Sequence, residues 1–402
     1  MATLHPLAAF ERDVTLDILR GFALAGVLFI FCVSDIGSPS GHVNSLVDEI
    51  IAWPKYILVE SRMYTMLILI FGIGFQVQLE KARRQGTSLA PAFSRRLAGL
   101  LVIGFIHAIV LSTRDILMFY GISGAVLLLI RKLTNRQLVV LMLLLLLLLV
   151  SPVLQTVFPN PWGRLRALVK PNGYGDYVQY NWQYFKLYHQ GYYIYLEMLF
   201  YFLLGAYISR KGILQKLKSN RKLRRRLLLT TLIGTAIFIP VYYFLMPAVI
   251  GNSVIIMQSS WQKFLAMTGL RALWPVWMLM SVTLYSTILV SLSQKDNWKR
   301  RLRPLAAFGQ MSLSNYLVQS LVLVPYLLLV DGFKNVPPAE GLILFLLVFP
   351  FQLYFSSWWL ARYQLGPFEW LLRSITYRKW QPMKKNAPEM AEEQPVLTMA
   401  TT

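Results

Sequence analysis

The sequence predicts an all-α, polytopic membrane protein of about ten transmembrane helices with both termini cytoplasmic. Three observations carry this. Hydrophobic residues are 56% of the 402 and charged residues only 14%, with mean hydropathy +0.51. A soluble fold of this length has too little interior to hide that much apolar surface, and its charged share is about twice as large. Apolar runs recur at lengths near the roughly 20 residues that cross a bilayer core of about 30 Å. Lys and Arg fall on alternate sides of those runs.

The first span, 18–33, has no small-residue cleavage site and reads as a retained helix, not a signal peptide. The second, 63–79, contains FGIGF, whose Gly72 and Gly74 mark close helix approach and not a nucleotide loop. Spans 97–111 and 116–130 are short and must form a tight hairpin around Thr113-Arg114-Asp115. The clearest run, LVVLMLLLLLLLV, lies in 138–158. An aromatic-rich stretch, 159–191, follows on the outer side as an ordered lid or a membrane-surface segment. Spans 192–208, 227–249, 270–292, 305–330 and 342–361 complete the set, so residues 1–380 form one transmembrane domain. Residues 381–402 are polar and Pro-containing, a disordered cytoplasmic tail.

With the N-terminus inside, 30 of the 40 Lys and Arg residues face the cytoplasm, while the acidic residues divide 9 and 9. The bias belongs to the basic residues, as the positive-inside rule requires, and an even number of spans preserves it. The net charge of +22 is therefore a membrane-orienting charge, and no nucleic-acid partner is implied. A lone Cys32 excludes an intrachain disulfide. His5, His42, His107 and His189 show no metal-ligand spacing, so no metal is expected.

Ionisable groups within spans are costly and each is a candidate functional residue. Asp17 and Arg20, one turn apart in LDILRG, form either an interfacial ion pair or an arginine fork for a phosphate on the cytoplasmic side. His107 lies 11 residues beyond Arg96, roughly 16 Å into the membrane. It either locks two helices together or passes a proton between substrates arriving from opposite sides. Continuing the helix puts Asp115 about 12 Å further out, which argues against a direct His–carboxylate pair unless the helix deforms. Glu197, among tyrosines, is either paired to another helix or a titrating group. Ser312, Asn315, Tyr316 and Gln319 share helical spacing, as helix glue or as the lining of a polar cavity. His42, in the first outer loop near Asp35, Asp48 and Glu49, matters only if that loop folds over the bundle.

Taken in order, the segments RDVTLDILRGFALAG, FGIGF, RRLAGLLVIGFIHA with DILMFYGISG, FLLGAYISRKGIL, FGQMSLSNYLVQS and SSWWLARYQLGPFEWLLRSITY resemble the YeiB-type membrane proteins, the domain of unknown function numbered 418. The resemblance covers nearly the whole chain. That family is similar to a wider group of transmembrane acyltransferases, which includes acyltransferase family 3 and heparan-alpha-glucosaminide N-acetyltransferase. The shared Leu-Asp-x-x-Arg-Gly opening is Leu16, Asp17, Arg20 and Gly21 here. The resemblance implies a bacterial inner-membrane protein that takes acyl-CoA from the cytoplasm. The acceptor would be a glycan or other envelope molecule on the outer side. One departure is Phe31, which stands where relatives carry Asn or His and leaves catalysis to His107 or His42. Glu369 and Arg373 are spaced for an i,i+4 pair in the GPFEW signature, structural first and donor-binding second.

The expected function is acyl transfer. Arg20, with Asp17 and with Arg95 or Arg96, holds the donor phosphates, His107 takes the acceptor proton, and the acceptor enters past Asp115. A small-molecule transporter fits the same polar groups, and a non-catalytic assembly or sensing protein is the third reading.

Overall fold

The computed structural model describes residues 13–33, 45–112, 115–151, 173–241, 260–329 and 336–385, with positions 165, 168 and 171. These residues are helical throughout, apart from turns and one isolated bridge between Tyr363 and Lys384. His42 and residues 386–402 of the expected tail lie outside the described residues; the start of that tail, 381–385, is ordered instead, with Lys384 bridged to Tyr363 and the Gln381 carbonyl accepting from Trp370 Nε1 at 2.8 Å.

Six helical stretches are long and apolar enough to cross a membrane: Val14–Val33, Leu46–Arg84, Ala90–Val110, Ala272–Ser293, Ser312–Leu329 and Pro338–Arg362. Tyr174–His189 and Tyr193–Arg210 qualify as a seventh only together, as a pair bent by 68°. Two further apolar helices, Leu117–Leu129 and Asn135–Val150, have 13 and 16 residues, lengths of about 20 and 24 Å.

The helix Val14–Val33 (α1) is central: 67% of its apolar window is buried, against 17% for Pro338–Arg362. After Leu46–Pro54 (α2) comes a π-helical turn, Lys55–Val59. The chain then breaks at Glu60 and Ser61, where Ser61 has φ 64°, before Arg62–Arg84 (α3). Ala90–Val110 (α4) and Leu117–Leu129 (α5) form the expected hairpin. Asn135–Val150 (α6) starts on a capping box between Thr134 and Gln137. Tyr174–His189 (α7) precedes Tyr192–Arg210 (α8), and α8 packs most extensively on α3.

That α3–α8 crossing depends on two glycines. A Cβ on Gly72 would collide with the Phe202 carbonyl, and one on Gly205 with the Leu69 carbonyl. Gly74, the other glycine of FGIGF, has open space around it, so the expected close approach belongs to Gly72 alone.

The basic segment folds as Ile213–Ser219 (α9) and Arg221–Pro240 (α10). Lys218 pairs with Asp13 at 2.6 Å, tying it to the start of α1. Then come Ser260–Ser293 (α11), Asp296–Arg301 (α12) and Arg303–Gln310 (α13). The chain closes with Ser312–Leu329 (α14), Pro338–Arg362 (α15) and Pro367–Tyr377 (α16). The expected continuous span 305–330 is thus two helices, broken at Met311. The break has a reason on each side. α13 crosses α1 so closely that a Cβ on Gly309 would meet the Asp17 carbonyl and one on Gly21 the Leu305 carbonyl. The N-terminus of α14 is capped from outside by Glu369, described below.

Candidate functional site

α4 ends at Val110 and the chain reverses before α5. This overturns the expected 12 Å separation, which assumed an unbroken helix. The turn carries Asp115 back over α4, and its Oδ1 lies 2.9 Å from His107 Nδ1. Asp115 Oδ2 meanwhile accepts from the Met118 N–H at 2.8 Å, so one carboxylate both orients the imidazole and caps the first turn of α5. On the other side of the ring, His107 Nε2 is 2.9 Å from Ser320 Oγ on α14. With Asp115 as a carboxylate it can only accept, and a neutral ring then carries its proton on Nδ1 while Nε2 accepts from the serine hydroxyl. All three residues are at most 4% exposed.

Tyr316, one turn before Ser320 on α14, lays its ring 4.9 Å from the imidazole. Its hydroxyl accepts from the Ile116 N–H at 3.2 Å. Phe31 of α1 packs against Tyr316 with centroids 6.2 Å apart, so the departure noted in the sequence lies beside the cluster. Gln319 and Asn315 point elsewhere. Asn315 donates to Ser356 Oγ at 2.9 Å and to the Phe308 carbonyl at 3.1 Å, and Gln319 and Gln352 approach at 3.4 Å. The expected single stripe is two adjacent faces, one joining α14 to α15 and one facing His107. Ser312 opens α14, two turns from Ser320. Glu197 belongs to a different cluster, against Trp274, Tyr201 and Tyr193.

At the N-terminal end of α1, Arg20 Nη1 donates to Asp17 Oδ1 at 2.7 Å, with the Arg20 side chain 26% exposed. Arg96 lies within electrostatic reach of Arg20 and Tyr377 and 6.0 Å from the Phe71 ring, with its Nε buried and unpartnered. Arg95 instead donates to the Thr376 carbonyl at 2.8 Å, a tether for α16. The buried Tyr120 hydroxyl has no hydrogen-bond partner among the described residues. It is electrostatically coupled to Arg20, Tyr64 and Asp115. Tyr316 is coupled to Asp115, Tyr64 and Tyr120 in turn. Tyr120 thus has electrostatic partners at both the Arg20 and the Asp115 ends, and shares Asp115 and Tyr64 with Tyr316.

The C-terminal end of α4 is covered by α7. Tyr174, Tyr177 and Asn181 donate to the Val110, Leu111 and Ile109 carbonyls at 3.2, 3.0 and 3.0 Å. These are the carbonyls that the end of α4 leaves without helical partners. This part of the expected aromatic segment is an ordered helix seated on the end of α4. The GPFEW signature works at the opposite end. Glu369 Oε1 accepts from the Leu313 and Ser314 N–H groups at 2.6 and 3.1 Å, and Oε2 accepts from Ser314 Oγ. Glu369 thus turns to α14, not along its own helix to Arg373. Burial pushes its carboxyl pKa up, against the pull of these hydrogen bonds.

Sequence reasoning missed Ser320. Its signal was the i,i+4 spacing from Tyr316 in NYLVQS, which puts the two on one face. It also missed Arg62, fully buried at the break before α3 with its guanidinium 3.6 Å from the Trp277 ring.

Fold and site together define a helical membrane protein with a Ser–His–Asp cluster buried among its spans. Residues 208–379 match the family described as "Protein of unknown function (DUF418)". The chain is 27% identical to "Uncharacterized protein YxaH" of Bacillus subtilis, over 96% of this chain and 99% of that one. It is 27% identical to "Uncharacterized protein YeiB" of Escherichia coli, over 92% and 98%. A third relative, "Uncharacterized 39.9 kDa protein in amylase 3'region" of Bacillus acidopullulyticus, is 25% identical over 96% and 100%. No solved structure matches the chain.

Proposed function

We propose that the protein is an acyltransferase of the bacterial inner membrane, with ten spans and both termini cytoplasmic. It takes an acyl group from cytoplasmic acyl-CoA and delivers it to a hydroxyl or amine on an envelope molecule at the outer side. The observation that carries this reading is His107 held between Asp115 and Ser320. A base oriented by a carboxylate and facing a hydroxyl is the arrangement that acyl transfer needs.

Arg20 and Arg96 supply the cationic inner end, with Asp17 fixing Arg20, and a guanidinium pair suits the phosphates of CoA. The thioester arm then extends past Tyr120 toward His107. Low exposure keeps water from competing for the thioester. His107 takes the acceptor proton, a contribution of about 10²–10⁴-fold.

The test is CoA-thiol release and acylated-product formation by the purified chain in lipid nanodiscs. Wild type should turn over acyl-CoA, and a folded His107→Ala variant should lose at least about 10²-fold. Full transfer by that variant would remove His107 from the mechanism. Solute uptake by proteoliposomes without any acylated product would replace this reading with transport.

A further inference from the structure

We propose that Ser320 carries the acyl group as a serine ester between the donor and acceptor steps; this rests on the acyl-transfer reading above. The imidazole has two nitrogens and both are committed. Nδ1 faces Asp115 and Nε2 faces Ser320, each at 2.9 Å. A base acting directly on the acceptor needs Nε2 free to receive the acceptor's proton. The proton within reach of Nε2 is that of Ser320.

The connectivity runs nucleophile, base, orienting carboxylate, the order that activates a serine hydroxyl. Each member is fixed independently. Asp115 is held by the Met118 N–H, the imidazole is packed by Tyr316, and Ser320 is carried on α14, whose start is clamped by Glu369. Exposure of at most 4% at all three protects an ester from hydrolysis. A stored ester also removes the need for donor and acceptor to occupy the buried site together. The α7 helix can stay seated on the C-terminal end of α4 while the donor reacts from within.

Both steps balance without a further reactant. Ser320 Oγ attacks the thioester carbonyl carbon as its proton passes to His107 Nε2. The carbonyl re-forms, the C–S bond breaks, and the proton leaves with the CoA thiolate as thiol. The acceptor hydroxyl or amine then attacks the ester carbon and gives its proton to Nε2. The C–Oγ bond breaks and that proton returns to Ser320.

The experiment incubates the full chain in detergent with acetyl-, octanoyl- or palmitoyl-CoA, radiolabelled in the acyl group, without acceptor. The reaction is quenched in acid and the peptides are mapped. The expected result is acyl label on the Ser320 peptide, stable to neutral hydroxylamine as an oxygen ester. Ser320→Cys should carry a hydroxylamine-labile thioester at the same place. Ser320→Ala should be unlabelled and slower in transfer by roughly 10³-fold or more. Transfer by a folded Ser320→Ala variant within tenfold of wild type overturns the proposal and leaves acyl transfer intact. So does label on another residue, or wild-type turnover with no chain-bound acyl group. Absence of both turnover and CoA-thioester binding in wild type defeats the underlying reading instead. Should Ser320→Ala fail to fold, a fluorophosphonate probe on wild type supplies the answer. It should mark Ser320 in a His107-dependent manner, and no mark there overturns the assignment.

Discussion

His107 and Asp115 meet at 2.9 Å although eight residues of sequence separate them. The turn between α4 and α5 makes this pair, and the pair sets the tautomer of the ring. Asp115→Asn keeps the shape and can still cap Met118, but it offers an amide N–H to Nδ1. The imidazole must then carry its proton on Nε2, where it can no longer accept from Ser320. Transfer activity should fall by about 10³–10⁴-fold with little change in unfolding temperature. Asp115→Ala should additionally cost about 1–3 kcal/mol, from the lost cap and the unpaired buried imidazole. Comparing the activity and thermal melt of the two variants checks this. A fully active Asp115→Asn would remove the orienting role.

Gly72 and Gly74 sit two residues apart in one motif but in opposite circumstances. A Cβ at Gly72 runs into the Phe202 backbone, which has no flexible end to move aside. Gly72→Ala should destabilise the α3–α8 crossing by about 1–3 kcal/mol. Gly74→Ala meets nothing within 4 Å and should be neutral, or stabilising by up to about 1 kcal/mol through helix propensity. Melting temperatures in one detergent decide the matter, and equal losses at both positions would contradict the packing.

Glu369 is buried with its carboxyl pKa raised above the ordinary 4.5. The folded chain therefore keeps a proton that the unfolded chain releases near that value. This group's contribution to stability is full below about pH 4.5 and declines as pH rises through the folded pKa, by at most about 1.4 kcal/mol per pH unit. Gln preserves the acceptor for the Leu313 and Ser314 N–H groups and does not titrate. From pH 4 upward, the melting temperature of Glu369→Gln should gain on that of wild type. Glu369→Ala should be the least stable of the three at every pH, since it leaves the start of α14 uncapped. A wild-type-minus-Gln difference that is flat with pH would refute the titration.

The sequence made some of this legible and withheld the rest for physical reasons. Hydropathy reports on solvent, so the membrane class and the first span were readable, whereas the central place of that span was not. His107 stood out because an ionisable group in an apolar run needs an explanation. Its pairing with Asp115 was not readable, because a helix rise of 1.5 Å per residue applies only while the helix continues, and α4 stops at Val110. Ser320 was hidden by its ordinary chemistry: a serine in a span is usually helix glue, and only the fold shows that it faces an imidazole. Glu369 illustrates the same limit. Local spacing offered Arg373 as partner, whereas α14 supplied backbone donors from more than fifty residues away.

Orientation can be tested with the chain's own cysteine count. Cys32 is the sole cysteine and is buried, so Cys32→Ala provides a cysteine-free background. Gly175 lies on the exposed face of α7 with open space around its Cα, and Ser219 is exposed at the end of α9. Under the positive-inside assignment, Gly175→Cys should react with a membrane-impermeant maleimide in intact spheroplasts. Ser219→Cys should react only after lysis. The opposite pattern would invert the topology and place Arg20 and Arg96 outside, away from cytoplasmic CoA.

Arg96 is the sharpest probe of the donor end. It lies within electrostatic reach of Arg20 and keeps a buried Nε without a partner. Two guanidinium groups within electrostatic reach repel one another and gain when an anion enters between them. CoA should therefore raise the melting temperature of wild type, since a ligand bound only to the folded state stabilises it by about 2.7 kcal/mol at a hundred times its Kd. Arg96→Gln relieves the repulsion and removes one phosphate donor. Its unliganded melt should equal or exceed that of wild type, while the CoA-induced rise shrinks. Arg95→Gln loses only the Thr376 tether, so it should lower the unliganded melt and leave the CoA-induced rise in place. If the two variants exchange these behaviours, the phosphate contact belongs to Arg95 and the donor does not enter beside Arg96.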